Sequence, residues 1–119
     1  MESILLTIKK LLGIPEEYTQ YDADIILHIN SAFMILRQLG VGPTEGFMIL
    51  DEYAVWTDFI PDSDPRFESV KTYIGAKVRL MFDPPTGSVH MDCINKLINE
   101  LEWRLNLEAE TTPTNEEVT

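Results

Sequence analysis

Residues 64–107 read DPRFESVKTYIGAKVRLMFDPPTGSVHMDCINKLINELEWRLNL, and this stretch decides the fold. Asp64 can accept a hydrogen bond from the free amides of an opening helical turn, and Pro65 sits where a missing N–H costs nothing. Behind them Phe67, Val70, Ile74, Val78 and Met81 recur at three- and four-residue steps, with Lys71, Lys77 and Arg79 off that stripe. The pattern predicts an amphipathic helix over 65–82. It stops at Asp83-Pro84-Pro85-Thr86, because two prolines remove donors and push the preceding residue out of the helical region. A second helix, 88–107, follows with Val89, Cys93, Ile94, Leu97, Ile98, Leu101 and Leu105 on its stripe. Cys93 is expected to be buried there. So short a connection makes the pair antiparallel neighbours.

Working outward, residues 3–12 place Ile4, Leu5, Ile8, Leu11 and Leu12 on one helical face. Lys9 and Lys10 lie near the C-terminal end, where cations suit the helix dipole, and Gly13 is the stop. The next helix, 22–39, starts at Asp22, carries Ile25, Ile26, Ile29, Phe33, Leu36 and Leu39, and ends at Gly40. Met34 and Ile35 widen its apolar face beyond what one neighbour needs, so the face is either buried between two helices or partly given to another subunit.

Between these halves the helical period disappears. The insert, 41–63, is punctuated by Gly42, Pro43, Gly46 and Pro61, and still holds Phe47, Met48, Ile49, Leu50, Tyr53, Val55, Trp56, Phe59 and Ile60. So much apolar and aromatic content argues for a segment that folds onto something. Short strands near 47–50 and 53–57 are compatible with it. Two readings stay open: a lid over the chain's own core, or an arm on a neighbouring copy whose contacts include Phe47, Tyr53, Trp56 and Phe59. From Val41 to Glu68 seven acidic residues face Arg66 alone, which is −6 of the chain's −11. After Leu107 the chain turns to Glu, Thr, Pro and Asn, which cannot bury enough surface to order themselves, so 108–119 is expected to be a flexible acidic tail.

The expected fold is therefore all-α: one four-helix domain, 1–107, with a long acidic, aromatic insert between the second and third helices. A chain of 119 residues is too short for two ordinary domains. A net charge of −11 and a pI near 4.4 argue against gripping nucleic acid or an anionic membrane, since both need clustered Lys and Arg. The opening Met1-Glu2-Ser3-Ile4-Leu5-Leu6 lacks the basic start of a signal peptide, and no apolar run approaches a membrane span. The single cysteine precludes an internal disulfide. These features fit a protein made and used in solution in a reducing cytoplasm.

Chemistry finds little support. His28 and His90 are far apart, and neither paired cysteines nor a His-Glu-x-x-His run suggests a metal. His90 and Cys93 share a helical turn but lack an orienting third group. No glycine-rich phosphate loop is present. The expectation is no enzyme, no cofactor, no metal and no catalytic residue. Trp103 and Arg104 are of the types that anchor interfaces.

The run Lys77-Val78-Arg79-Leu80-Met81-Phe82-Asp83-Pro84-Pro85-Thr86, followed by Leu101-Glu102-Trp103-Arg104-Leu105-Asn106, resembles the small head-tail connector (adaptor) proteins of tailed phages, especially those of Gram-positive hosts. Gly13-Ile14-Pro15-Glu16, His28-Ile29-Asn30-Ser31, Gln38-Leu39-Gly40-Val41-Gly42-Pro43 and Trp56-Thr57-Asp58-Phe59-Ile60 look like the same family. The resemblance implies a structural virion protein at the head-tail junction. It would form a homo-oligomeric ring beneath the portal protein, join it to the stopper or tail-completion protein, and line a channel that DNA crosses without specific binding. Trp103, Arg104, Glu108 and Glu110 would then be contacts on the portal or tail side. The rival from composition alone is an acidic helical inhibitor that mimics DNA, but its carboxylates would have to be arrayed along a folded surface rather than gathered in insert and tail.

Overall fold

In a computed structural model describing residues 2–111, the elements run α1 (Ile4–Leu11), α2 (Asp22–Gln38), a 3-10 turn (Trp56–Asp58), α3 (Phe67–Phe82) and α4 (Ser88–Thr111). The all-α expectation holds. Three helices end within two residues of the expected bounds, while α4 continues four residues past Leu107, into the segment expected to be tail. The rest of that expected tail, from 112 on, lies outside the described residues. Gly13 and Gly40 close α1 and α2 at φ +77° and +85°, the left-handed conformation that a glycine adopts without strain.

The central element is α3. Val70, Tyr73, Ile74 and Val78 are buried, and α1, α2 and α4 all pack on it. Gly75 leaves room for the Leu11 side chain of α1, because a Cβ there would lie 2.7 Å from Leu11 Cδ1 and turn that side chain aside. Between α3 and α4, the buried Tyr73 hydroxyl donates to Glu102 Oε2 at 2.7 Å, and Lys77 Nζ lies 3.8 Å from the same oxygen. Burial first, then the Glu102 carboxylate, pushes the Tyr73 hydroxyl far above its ordinary range, so it remains a donor.

The two ends of the α4 stripe fare differently. Ile98, Leu101 and Leu105 are buried, but Val89 is 71% exposed, Leu97 is 39% exposed, and Cys93 is exposed rather than buried as expected. The reason is the number of neighbours. α4 packs chiefly on α3, and one neighbour covers only a narrow strip of a helix.

At the start of α3, Asp64 accepts from the Arg66 backbone N–H at 2.8 Å and takes the Arg66 guanidinium in two bonds of 3.1 and 2.9 Å. The Arg66 side chain, more than offsetting desolvation, holds the Asp64 carboxyl below its usual range. A depressed carboxylate stabilises the fold above the ordinary Asp range, and that contribution disappears as pH falls through the lowered value. Asp64→Asn is therefore expected to flatten this part of the acid limb, read as urea midpoints measured from pH 7 to pH 2.

α1 is held by a group the sequence did not mark. Lys9 is fully buried. Its ammonium donates to the carbonyl oxygens of Glu16 at 2.9 Å and Tyr18 at 2.6 Å, and lies 2.9 Å from Asp22 Oδ1. Three donors meet three acceptors, which is what a desolvated ammonium needs. One side chain thus fixes the α1–α2 loop and the first residue of α2.

The insert folds back over α2 and onto the residues preceding α1. Asn30 donates from Nδ2 to the Ile49 carbonyl at 3.0 Å and accepts the Ile49 N–H on Oδ1 at 2.7 Å. This side-chain amide does what a neighbouring strand would do. Accordingly, the strands expected near 47–50 and 53–57 are absent among the described residues, where the pairing reduces to one isolated bridge, Ser3 with Val55. Beside it, Ile4 N donates to Ala54 O at 3.0 Å and Ser3 Oγ to Glu52 O at 2.6 Å.

Candidate functional site

The four aromatic residues expected at a subunit contact do not share one environment. Trp56 is 2% exposed, and its indole N–H donates to Thr7 Oγ1 at 3.1 Å. Phe59 is buried against Phe33, with ring centroids 4.6 Å apart, and the half-buried Phe47 closes the cluster at 4.9 Å from Phe33 and 5.3 Å from Phe59. For Trp56 and Phe59 the lid arrangement is the one seen within the chain. On α2 it is Phe33 that the insert covers with Phe47 and Phe59, while α3 packs on the same helix. Side chains already enclosed in this way offer little area to a neighbour. Tyr53, by contrast, is 79% exposed.

Tyr53 stands on a turn with Leu50, which is 81% exposed, and with the exposed carboxylates Asp51 and Glu52 between them. Asp51 Oδ1 accepts the Tyr53 backbone N–H at 2.9 Å, which fixes the turn. This acidic protrusion with apolar shoulders is the most exposed apolar feature of the insert. Next to it runs a groove of about 500 Å³ between α2 and the insert, lined by Leu27, Phe33, Met34, Phe47 and Met48, with Arg37 and Glu45 at its ends. The wide face of α2 is thus divided: Ile25, Ile29, Phe33 and Leu36 go inward, while Leu27 and Met34 remain exposed.

A second groove, of about 400 Å³, lies where α1, α3 and α4 meet. Leu11, Gly75, Ala76, Ile94 and Leu97 form its floor, and Lys71 and Arg79 stand on its rim with Glu68. Lys71 is engaged with Glu2 at 2.7 Å and Glu68 at 3.6 Å, whereas Arg79 is exposed and forms no ion pair among the described residues.

The residues expected on the portal or tail side lie along the later turns of α4. Trp103 is 64% exposed, and Arg104 reaches Glu100 at 3.6 Å. Glu108 is exposed, and its charge adds to the field that keeps Arg66 protonated. Glu110 belongs to α4, but its side chain lies outside the described residues.

For catalysis the arrangement offers little. Among the described residues no group of three His, Cys, Asp or Glu side chains converges as a metal site, and no helix is long and apolar enough to cross a membrane. His28 packs edge-on to Phe82, with centroids 6.3 Å apart, while His90 and Cys93 stand exposed on the first turns of α4. An open cleft of about 970 Å³ beside α1 is lined by Glu2, Lys10, Glu16 and Glu17 among others, without histidine or cysteine. An accessible thiol should react with a maleimide in the folded protein about as fast as in urea, and Cys93→Ala should shift stability by less than about 0.5 kcal/mol. Protection of the thiol at neutral pH would show that the free chain already covers this face.

Asn30, Lys9 and Tyr73 are the positions that periodicity passed over. A signal existed for Lys9: its 5–9–12 spacing with Leu5 and Leu12 puts it on the apolar side of α1, which Lys10 does not share. Asn30 and Tyr73 look like any polar residue beside an apolar stripe.

Residues 4–112 match the family model described as phage connector protein. No curated protein and no solved structure matches the chain.

Proposed function

Because the chain belongs to the phage connector protein family, a structural family whose members act at the junction of phage head and tail, we propose that it assembles as a ring beneath the portal, joins it to the stopper or tail-completion protein, and surrounds the DNA path. The family match over 4–112 carries this reading. Three features of the molecule support it. The exposed apolar surface is divided between the Leu50–Tyr53 turn and grooves elsewhere, and a ring needs two different patches on each copy. The charge of −11 disfavours retention of DNA, so a channel built from such chains lets phosphate pass. Trp103 and Arg104, exposed on α4, are suited to anchor the portal or tail side, with Glu108, Glu110 and the residues beyond 111 as the remainder of that contact.

The test is removal of the chain from the particle. Particles assembled without it should accumulate DNA-filled heads and separate tails, and adding the purified chain should restore joined particles with a ring at the junction by electron microscopy. Normal joining in its absence would overturn the reading. A chain ending at Thr111 isolates the last segment: it should fold with full helical circular dichroism yet join heads and tails poorly.

A further inference from the structure

Resting on the ring reading, we infer that neighbouring copies join by seating the Leu50–Tyr53 turn of one copy in the α1/α3/α4 groove of the next. Three observations carry the pairing. The first is shape: the turn is the most exposed apolar protrusion of the insert, with Leu50 at 81% and Tyr53 at 79%, while the groove is a concave apolar surface floored by Leu11, Ile94 and Leu97. Leu11 is itself 55% exposed and Leu97 39%, although both belong to the apolar stripes of their helices.

The second is charge. Asp51 and Glu52 stand on the turn without a basic residue between Glu45 and Arg66. The groove lining holds Lys71, Arg79 and Glu68, and Glu2 is bound to Lys71 from beside it at 2.7 Å. Arg79 is the cation left for a partner, since Lys71 is already shared by Glu2 and Glu68. Two carboxylates on one patch and the Arg79 guanidinium on the other favour a head-to-tail contact, because two turns brought together would meet like charge.

The third observation disfavours the competing groove. The α2/insert groove is lined by Arg37 and Glu45, which balance each other, and Arg37 is already bonded to the Thr44 carbonyl at 2.8 Å. It borders the insert that carries the turn, and the Glu45 carboxylate on its lining stands against the approach of an acidic turn.

The native Cys93 provides the test. It is exposed one helical turn before Leu97, so a thiol placed on a seated turn would lie beside it. The variant Tyr53→Cys should fold normally, since its side chain is exposed and its backbone bond to Asp51 remains. In assembled particles treated with a short bismaleimide, it should give a ladder of covalent dimers, trimers and higher multimers. The wild type, with Cys93 alone, and Tyr53→Cys combined with Cys93→Ala should give none. In the same particles Arg79→Glu should lower joined-particle yield at least tenfold, and adding Glu52→Arg should restore most of it.

The two failures are separable. A wild-type junction without a ring by electron microscopy overturns the ring reading and this pairing with it. A ring without the 53–93 ladder, a ladder that stops at dimers, or a ladder obtained from Met34→Cys instead overturns the pairing alone.

Discussion

Trp56→Ala is expected to remove about 3–5 kcal/mol of folding stability, the range for truncating a fully enclosed aromatic residue. The side chain is 2% exposed and ties the insert to α1 through the Thr7 hydroxyl. Its loss would open a cavity between the first helix and the returning insert, and a domain of this size has about 5–15 kcal/mol in total. Urea unfolding followed by circular dichroism at 222 nm checks the value. That probe is preferable to fluorescence, because the exposed Trp103 would dominate the emission. Trp56→Phe, which keeps most of the volume and loses the hydrogen bond, should cost about 1–2 kcal/mol. If Trp56→Ala left stability within about 1 kcal/mol of wild type while abolishing assembly, the residue would belong to the contact between copies after all.

Lys9→Met should be nearly as damaging, at about 3 kcal/mol. Methionine reproduces the aliphatic stem, so the loss reports on the ammonium. Removing one partner of a buried ion pair leaves the other charge and its carbonyl companions without compensation, which typically costs about 3–5 kcal/mol. The lower end applies because the Asp22 side chain retains 22% exposure and can recover some hydration. The effect should hardly change between 0.05 and 1 M salt, since an enclosed pair is poorly screened. A strong salt dependence would mean that Lys9 is more open to water than the structure shows. Asp22→Asn should be milder, because Lys9 keeps the Glu16 and Tyr18 carbonyls.

How far the sequence could be read depends on which interactions leave a periodic trace. α3 was legible because Val70, Ile74 and Val78 repeat with the helix, and because Asp64 and the two prolines bound it. The same regularity misled at α4. Periodicity records which residues share a face but not how many neighbours cover it, so Cys93 and Val89 share a stripe with buried residues and still stand in water. In the insert, composition required burial but could not say against what. Trp56 and Tyr53 are three residues apart and equally aromatic, yet one is inside and the other outside, because a 3-10 turn and one bridge to Ser3 set their directions. The Lys9 cluster was hidden for a different reason: two of its three acceptors are backbone carbonyls, which every sequence contains.

The bridge between Ser3 and Val55 also bears on how the chain is made. An eight-residue helix is marginal alone in water, and α1 draws its support from partners far downstream: Ala54 O for its first amide, the Trp56 indole for Thr7, and α3 beyond them. On the ribosome the opening segment therefore emerges long before the residues that hold it. It must wait, apolar face exposed, until the insert has left the exit tunnel. Contacts between positions so far apart in sequence slow the search and lengthen that interval. Nascent chains stalled just before Trp56 clears the tunnel should thus keep α1 open to protease, and those stalled a few residues after Ile60 should begin to protect it.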